Sequence, residues 1–163
     1  MSASEFEAFY HAYVTCVYRF VFYRVGARRE LAQDLTQDIF LKAFEAFERY
    51  DPTKGKSAWI YTIARHHLIN HHAKERSQVN IEEVSDSLWL STDERERLVQ
   101  NDEERRLLVA VDTLEVEDAR LVRMKYLEGW GFDDLAEVFG KSSGALRVQV
   151  GRALKKLRHQ VKK

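Results

Sequence analysis

Apolar residues recur three and four positions apart along most of the chain and polar residues fill the positions between, the spacing of helices that turn one face to a core. Over residues 4–25, Phe6, Phe9, Tyr10, Tyr13, Val14, Val17, Tyr18, Val21 and Phe22 make an aromatic-rich stripe, with Ser4 available as a cap and Gly26 as a stop. Such a stripe reads as core, which is a commoner cause of the pattern than a cofactor box. A second helix over 30–49 has a wide inward arc of Leu31, Ala32, Leu35, Ile39, Phe40, Ala43, Phe44 and Phe47. Its other side gathers Asp34, Gln37, Asp38, Leu41, Glu45 and Glu48. A leucine ringed by polar groups has the anatomy of a small partner-binding patch, although single surface leucines are also ordinary.

Residues 50–57, with the only Pro, a Gly and two Lys, read as a loop that feeds a third helix. There Trp59, Ile60, Ile63, Ala64 and His67 are expected inward, Tyr61, Arg65 and His72 elsewhere, and Lys74 and Arg76 at the basic end. A basic loop beside an aromatic-bearing helix suits single-stranded nucleic acid, because bases stack on rings while cations follow phosphates. Trp59 itself reads as core. Residues 77–93 lose the periodicity and read as a linker, with Ile81, Val84, Leu88, Trp89 and Leu90 able to dock on a domain or a partner. A second domain is expected from Glu94. Its first helix carries Leu107, Leu108, Val111 and Leu114, and its next carries Ala119, Leu121, Val122, Met124, Tyr126 and Leu127 before a turn at Gly129.

Residues 131–158 then give a helix-turn-helix pattern. Leu135, Ala136, Val138 and Phe139 stripe the first element, Gly140 breaks it, and Ser142 or Ser143 caps the second. In that second element Leu146, Val150, Ala153, Leu154 and Leu157 face inward, so Val148, Arg152 and Lys155 face out, flanked by Arg147, Gln149, Lys156 and Arg158. Arg and Gln can read base edges in a major groove, Lys neutralises phosphates, and an exposed Val can touch a thymine methyl. A solvated basic helix closing a bundle would show the same pattern.

Composition sharpens this reading. One Pro and seven Gly in 163 residues favour an all-α fold of two small helical domains joined by a linker, 1–76, 77–93 and 94–163. The zero net charge conceals a division: residues 1–76 hold 11 basic and 9 acidic groups, 77–120 hold 5 and 13, and 121–163 hold 10 and 4. From Lys141 onward there are eight basic residues and no acidic one, the footprint of a nucleic-acid partner. Cys16 is alone, so no intramolecular disulfide framework is possible. No signal peptide or membrane-length apolar run is visible, and a cytoplasmic protein without membrane insertion is expected.

His66, His67, His71 and His72 invite a metal hypothesis, yet no Cys and no HExxH arrangement accompanies them. Helix residues that protonate near neutrality are the simpler assignment. With no phosphate-cradling glycine loop and no paired nucleophile and base, neither an enzyme nor a cofactor is expected.

The blocks DLTQDIFLKAFEAFERYD, SAWIYTIARHHLINHHAKER and YLEGWGFDDLAEVFGKSSGALRVQVGRALKKLR, in this order, resemble the extracytoplasmic-function group of bacterial RNA polymerase sigma factors. The resemblance runs nearly end to end. It implies a transcription initiation factor that binds core RNA polymerase, directs it to promoters and helps open the duplex. Asp34, Gln37, Phe40 and Leu41 would dock on the polymerase. Lys54, Lys56, Ser57, Tyr61, Arg65, His66, Asn70 and Lys74 would hold the melted minus-ten strand, with a base flipped into a pocket beside the loop. Ser143, Arg147, Val148, Gln149, Arg152, Lys155 and Lys156 would bind the duplex minus-thirty-five element. An anti-sigma factor is a further partner implied by the family.

The chain departs from the family's pattern in four places. His66 and Asn70 stand where Asn and Asp are common, Gly131 replaces a Ser or Thr cap, and Glu115 stands where a Pro usually opens the preceding helix. Val148 and Gln149 replace a frequent Ser-Arg pair, which removes one cation and predicts a shallower salt dependence. Two other readings fit the residues alone: a DNA-binding regulator that never touches polymerase, and a metal-assisted hydrolase using His67 and His71.

Overall fold

The computed structural model describes residues 2–75 and 101–162, apart from the side chain of Glu104. The linker expected at 77–93, with its apolar Ile81, Val84, Leu88, Trp89 and Leu90, and the domain start at Glu94 lie outside the described residues. The chain divides into two compact units, Met1–Trp89 and Leu90–Lys163. Both are helical, and no strand occurs among the described residues.

The first unit opens with α1 (Ala3–Phe22), and its cap is Ser2 instead of Ser4. Ser2 Oγ accepts from the Glu5 amide at 3.3 Å while the Glu5 carboxylate accepts from the Ser2 amide at 2.6 Å. Two donors of the first turn are thereby satisfied together. The helix stops at Phe22, three residues before the expected end, because Gly26 and Ala27 both take positive φ, 67° and 57°. The chain then reverses into α2 (Arg29–Ala46), followed by a single 3-10 turn at Phe47–Arg49 and by α3 (Lys56–Glu75).

Aromatic contacts show the pairing of the first two helices. Phe6 meets Phe44 at 5.0 Å between ring centroids and Phe9 meets Phe40 at 6.2 Å, so α1 and α2 run antiparallel. Phe9 sits at the centre of the cluster, also touching Phe47 at 5.6 Å and Trp59 at 5.6 Å. Trp59 packs on Tyr50 as well, at 4.9 Å, in keeping with its reading as a core residue. The arc of α2 is too wide to be covered entirely. Ile39 and Ala43 are fully buried, but Phe44, expected inward, is 54% exposed because it lies past the edge of what α1 and α3 can cover.

Between α2 and α3 runs an open groove of about 480 Å³ lined by Asp38, Lys42, His67, Asn70, His71 and Lys74 among others. His67 Nε2 lies 3.7 Å from Asp38 Oδ2, and the His67 side chain is only 14% exposed. Burial first, and then the Lys42 charge, hold this imidazole below its ordinary value of 6.5, against the opposing pull of Asp38.

The second unit contains α4 (Asp102–Asp112), α5 (Val116–Arg123), α6 (Phe132–Phe139) and α7 (Ser143–Val161). Ala110, Val111, Leu114, Ala119, Val122, Ala153 and Leu157 form one shared core cluster. The expected continuous helix through Leu127 is broken by a wider π turn at Met124–Glu128, which ends at Gly129 with φ 87°. That turn carries the Glu128 side chain inside. Glu128 and Trp130 are both fully buried, and Trp130 Nε1 donates to Glu128 Oε2 at 2.8 Å. A buried polar side chain is tolerated only with such a partner.

Two outcomes test this packing. Trp130→Phe removes both ring volume and the donor to Glu128, and is expected to cost roughly 2–4 kcal/mol in a circular-dichroism melt. Leu41→Ala, on the exposed face of α2, stays within about 0.5 kcal/mol of wild type. For His67 the folded state resists the proton that the unfolded chain accepts. Its contribution is therefore complete above about pH 6.5 and is lost as pH falls toward the lowered folded value. Melting temperatures near pH 7.5 and 5.5 should converge in His67→Gln relative to wild type; an equal drop in both proteins would show that another group drives the change.

Candidate nucleic-acid and partner interfaces

Three surfaces carry the predicted residues. On α2, Asp34, Gln37 and Leu41 are exposed, and Leu41 reaches 59%. Phe40 is corrected: at 4% exposure it lies in the core, against Tyr10 at 4.9 Å and Phe9, one helical step from the outer face. Phe44, which the periodicity placed inside, instead shares the outer face with Leu41. The two lie three residues apart and so stand side by side on the helix, bounded by Gln37, Glu45 and Glu48. Apolar anchors inside a polar rim are what a protein partner requires.

The second surface joins the loop before α3 to the outer side of that helix. Asp51 Oδ1 accepts from both the amide and the hydroxyl of Thr53, at 2.9 and 2.7 Å, and these bonds hold its carboxyl below the usual carboxylate range. The Tyr50 hydroxyl donates to the Lys54 carbonyl, so the loop is pinned at both ends of its turn. Lys54, Lys56, His66, Asn70 and Lys74 are exposed, and Arg65 is half-buried. At 100° per residue, Lys56, His66, Asn70 and Lys74 fall within one 80° sector and form a row along α3.

Two predicted members of that surface are corrected. Ser57 is 1% exposed, with its hydroxyl 3.1 Å from Tyr13 Oη, and Tyr61 is 8% exposed, with its ring edge-on to Phe20 at 5.2 Å. The buried stripe of α3 is Ser57, Ile60, Tyr61, Ala64, Leu68 and Ile69; it keeps Ile60 and Ala64 of the expected inward face and is rotated away from Trp59, Ile63 and His67. The serine that opens the stripe and the tyrosine within it hide that phase, because both count as polar in a periodicity of apolar residues. Among the described residues no three His, Cys, Asp or Glu side chains are placed to hold a metal ion.

The third surface is α7. Ser142 is its cap, accepting from the Ala145 amide at 3.1 Å, while the Ser143 hydroxyl donates to Asp133 Oδ1 at 2.7 Å. Gly140, at φ 65°, ends α6 and makes the turn that a residue with a side chain would adopt only under strain. Gly131 caps α6, and its amide donates to Asp134 Oδ2 at 3.0 Å. Leu146, Val150, Ala153 and Leu157 are buried as expected. Outward stand Val148, 54% exposed, with Arg147, Arg152, Lys155 and Lys156. The Arg147 guanidinium lies 5.0 Å from the Phe132 ring centroid, which fixes its direction.

Gln149 behaves differently from its neighbours. It is half-buried, and its amide nitrogen donates to Asp118 Oδ1 at 2.8 Å. Glu117 and Asp118, in the first turn of α5, were not among the predicted site residues. In the sequence they read as ordinary acids at a helix start, and only the fold shows what they face.

No described helix is long and apolar enough to cross a membrane. The Sigma-70 region 2 family matches residues 9–78, and the Sigma-70, region 4 family matches residues 104–157. Among curated proteins the chain is 28% identical over 158 residues to the ECF RNA polymerase sigma factor BldN of Streptomyces coelicolor, covering 95% of this chain and 60% of that protein. It is 32% identical over 151 residues to the ECF RNA polymerase sigma factor SigC of Mycobacterium tuberculosis, covering 90% of this chain and 78% of that one. The sigma factor RpoE of Bartonella quintana, solved with the anti-sigma factor NepR, shares the fold with a TM-score of 0.55 at 18% identity, covering 98% of each chain. Two matched sigma regions in order, together with the identity to SigC, place this chain in the extracytoplasmic-function group of RNA polymerase sigma factors.

Proposed function

We propose that the chain binds core RNA polymerase through the outer face of α2, with Leu41 as anchor and Asp34, Gln37 and Phe44 around it. Phe40 supports that face from beneath. The exposed cations and amides of the loop and α3, namely Lys54, Lys56, Arg65, His66, Asn70 and Lys74, then hold the melted minus-ten strand. α7 enters the major groove of the minus-thirty-five element through Val148, Arg152 and Lys155, with Arg147 and Lys156 on its flanks. The work of opening is done by binding: contacts available only to unpaired bases shift the equilibrium toward melted DNA. Polymerase supplies the chemistry, and the chain itself catalyses nothing and acts in the cytoplasm beside the enzyme.

The observation that carries this reading is one chain that presents both an apolar patch with a polar rim and a helix whose outer face holds Val148 among cations and no acid. A plain DNA-binding regulator needs only the second. An anti-sigma partner, of the kind with which RpoE was solved, is placed on the same α2 face on the ground of its exposed Leu41 and Phe44. A shared surface would make inhibition and polymerase binding mutually exclusive.

Leu41→Glu should weaken binding to purified core polymerase by tenfold or more without lowering the melting temperature, since it buries a charge at the centre of the contact. Unchanged binding would move the polymerase contact elsewhere. Lys155→Ala in the assembled holoenzyme should lower the slope of log affinity against log salt by about 0.9 on promoter duplex while leaving base preference intact. An unchanged slope would remove Lys155 from the phosphate contacts.

A further inference from the structure

Gln149 occupies a position on α7 from which a glutamine can read an adenine, and that task needs one amide N–H and the amide oxygen together. Both are already engaged. The amide nitrogen lies 2.8 Å from Asp118 Oδ1 and 3.4 Å from Glu117 Oε1, and the amide oxygen lies 3.3 Å from Lys141 Nζ. Lys141 Nζ is in turn 2.5 Å from Glu117 Oε1, and Lys156 Nζ is 3.9 Å from Asp118 Oδ2. Two of the side chains expected to meet DNA, Gln149 and Lys156, and with them Lys141, are thus drawn toward two carboxylates at the start of α5.

The contrast along the same helix is sharp. Val148, Arg152 and Lys155 follow one another at helical spacing on the outer side, and neither Arg152 nor Lys155 forms an ion pair with another described residue. Gln149 and Lys156 are seven residues apart and share the flank that faces α5. Hydrogen bonds to a carboxylate are charge-assisted. The first turn of a helix favours anions, and the bonds from Lys141 and Gln149 hold the Glu117 carboxyl below its usual range.

The geometry points to Glu117 and Asp118 as specificity-determining residues that latch Gln149 away from the bases, leaving sequence reading to Val148 and Arg152. This rests on the reading of α7 as the minus-thirty-five helix. The latch acts in two ways. It occupies the one side chain on that flank able to choose an adenine, and it sets two negative charges where a phosphate would otherwise approach. Promoters are therefore selected without a contribution from position 149, and Gln149 is a positioning residue for Lys141.

The test uses holoenzyme assembled from core polymerase and the full chain, selecting from duplexes randomised across the upstream contact region, with relative binding read by sequencing. Gln149→Ala should select the same sequences as wild type, with preferences unchanged within about twofold. Asp118→Ala should free the amide and gain a preference for an A·T pair of about fivefold or more at one position. That gain should vanish in the Asp118→Ala, Gln149→Ala double variant. Asp118→Asn, which can still accept from the Gln149 amide, should select as wild type does.

Two results overturn the latch while leaving α7 as the reading helix: a flattened position in Gln149→Ala, which would mean direct readout, or an Asp118→Ala variant that melts lower but selects unchanged sequences. A wild-type holoenzyme that selects no upstream sequence at all would instead overturn the reading of α7 on which the latch rests. In the free chain, the Gln149 side-chain amide resonances should shift in Asp118→Ala and hold their position in Lys155→Ala. Resonances that ignore Asp118→Ala would also count against the contact.

Discussion

The outward direction of charge on α7 follows from the four side chains that must be inside. Leu146, Val150, Ala153 and Leu157 are each 4% exposed or less, and at helical spacing they occupy one face. Two of them, Ala153 and Leu157, belong to the same cluster as Ala110, Val111, Leu114, Ala119 and Val122, so α4 and α5 fix the rotation of α7 about its axis. With that rotation set, Val148, Arg152 and Lys155 have nowhere to go but solvent. The α6–α7 turn at Gly140 and the Ser142 cap then fix where the helix starts. The outward cationic surface of α7 is therefore a consequence of core packing, and a change in the core that rotates α7 by one residue would bury a cation and expose a leucine.

The first unit follows the same logic with aromatic side chains. Phe9 gathers Phe6, Phe40, Phe47 and Trp59 around it, and this cluster aligns α1, α2 and the start of α3. What that cluster cannot cover on α2 is the sector carrying Phe44 and Leu41. An incompletely buried apolar arc is costly for a free chain. It becomes useful when a partner removes the remaining surface from water, and the acid and amide rim around it gives such a contact direction.

Much of this was legible in the order of residues. The helices, the glycine turns at Gly129 and Gly140, the Trp59 contact with the core and the exposed Leu41 all follow from periodicity and turn chemistry. Phe40 is inside, as its place in the arc of α2 implies, and only the resemblance put it on the outer face; Phe44, 40° further round the same arc, falls past its boundary and is exposed. Ser57 and Tyr61 were misplaced for a different reason: each can be polar in the sequence and buried in the fold, once Tyr13 or Phe20 supplies a partner. The π turn that takes Glu128 inside, and the bonds that Gln149 of α7 makes to Glu117 and Asp118, join residues whose pairing no local pattern encodes. Such contacts depend on the angle at which α5 meets α7.

The central claim is that this chain confers promoter choice on a polymerase that lacks it. The most direct measurement is transcription from a library of random duplex templates by core polymerase with and without the full chain, mapping the 5′ ends of the transcripts. The account predicts discrete start points that appear only with the chain and lie downstream of a shared two-part sequence. Start points indistinguishable from those of core polymerase alone would contradict it.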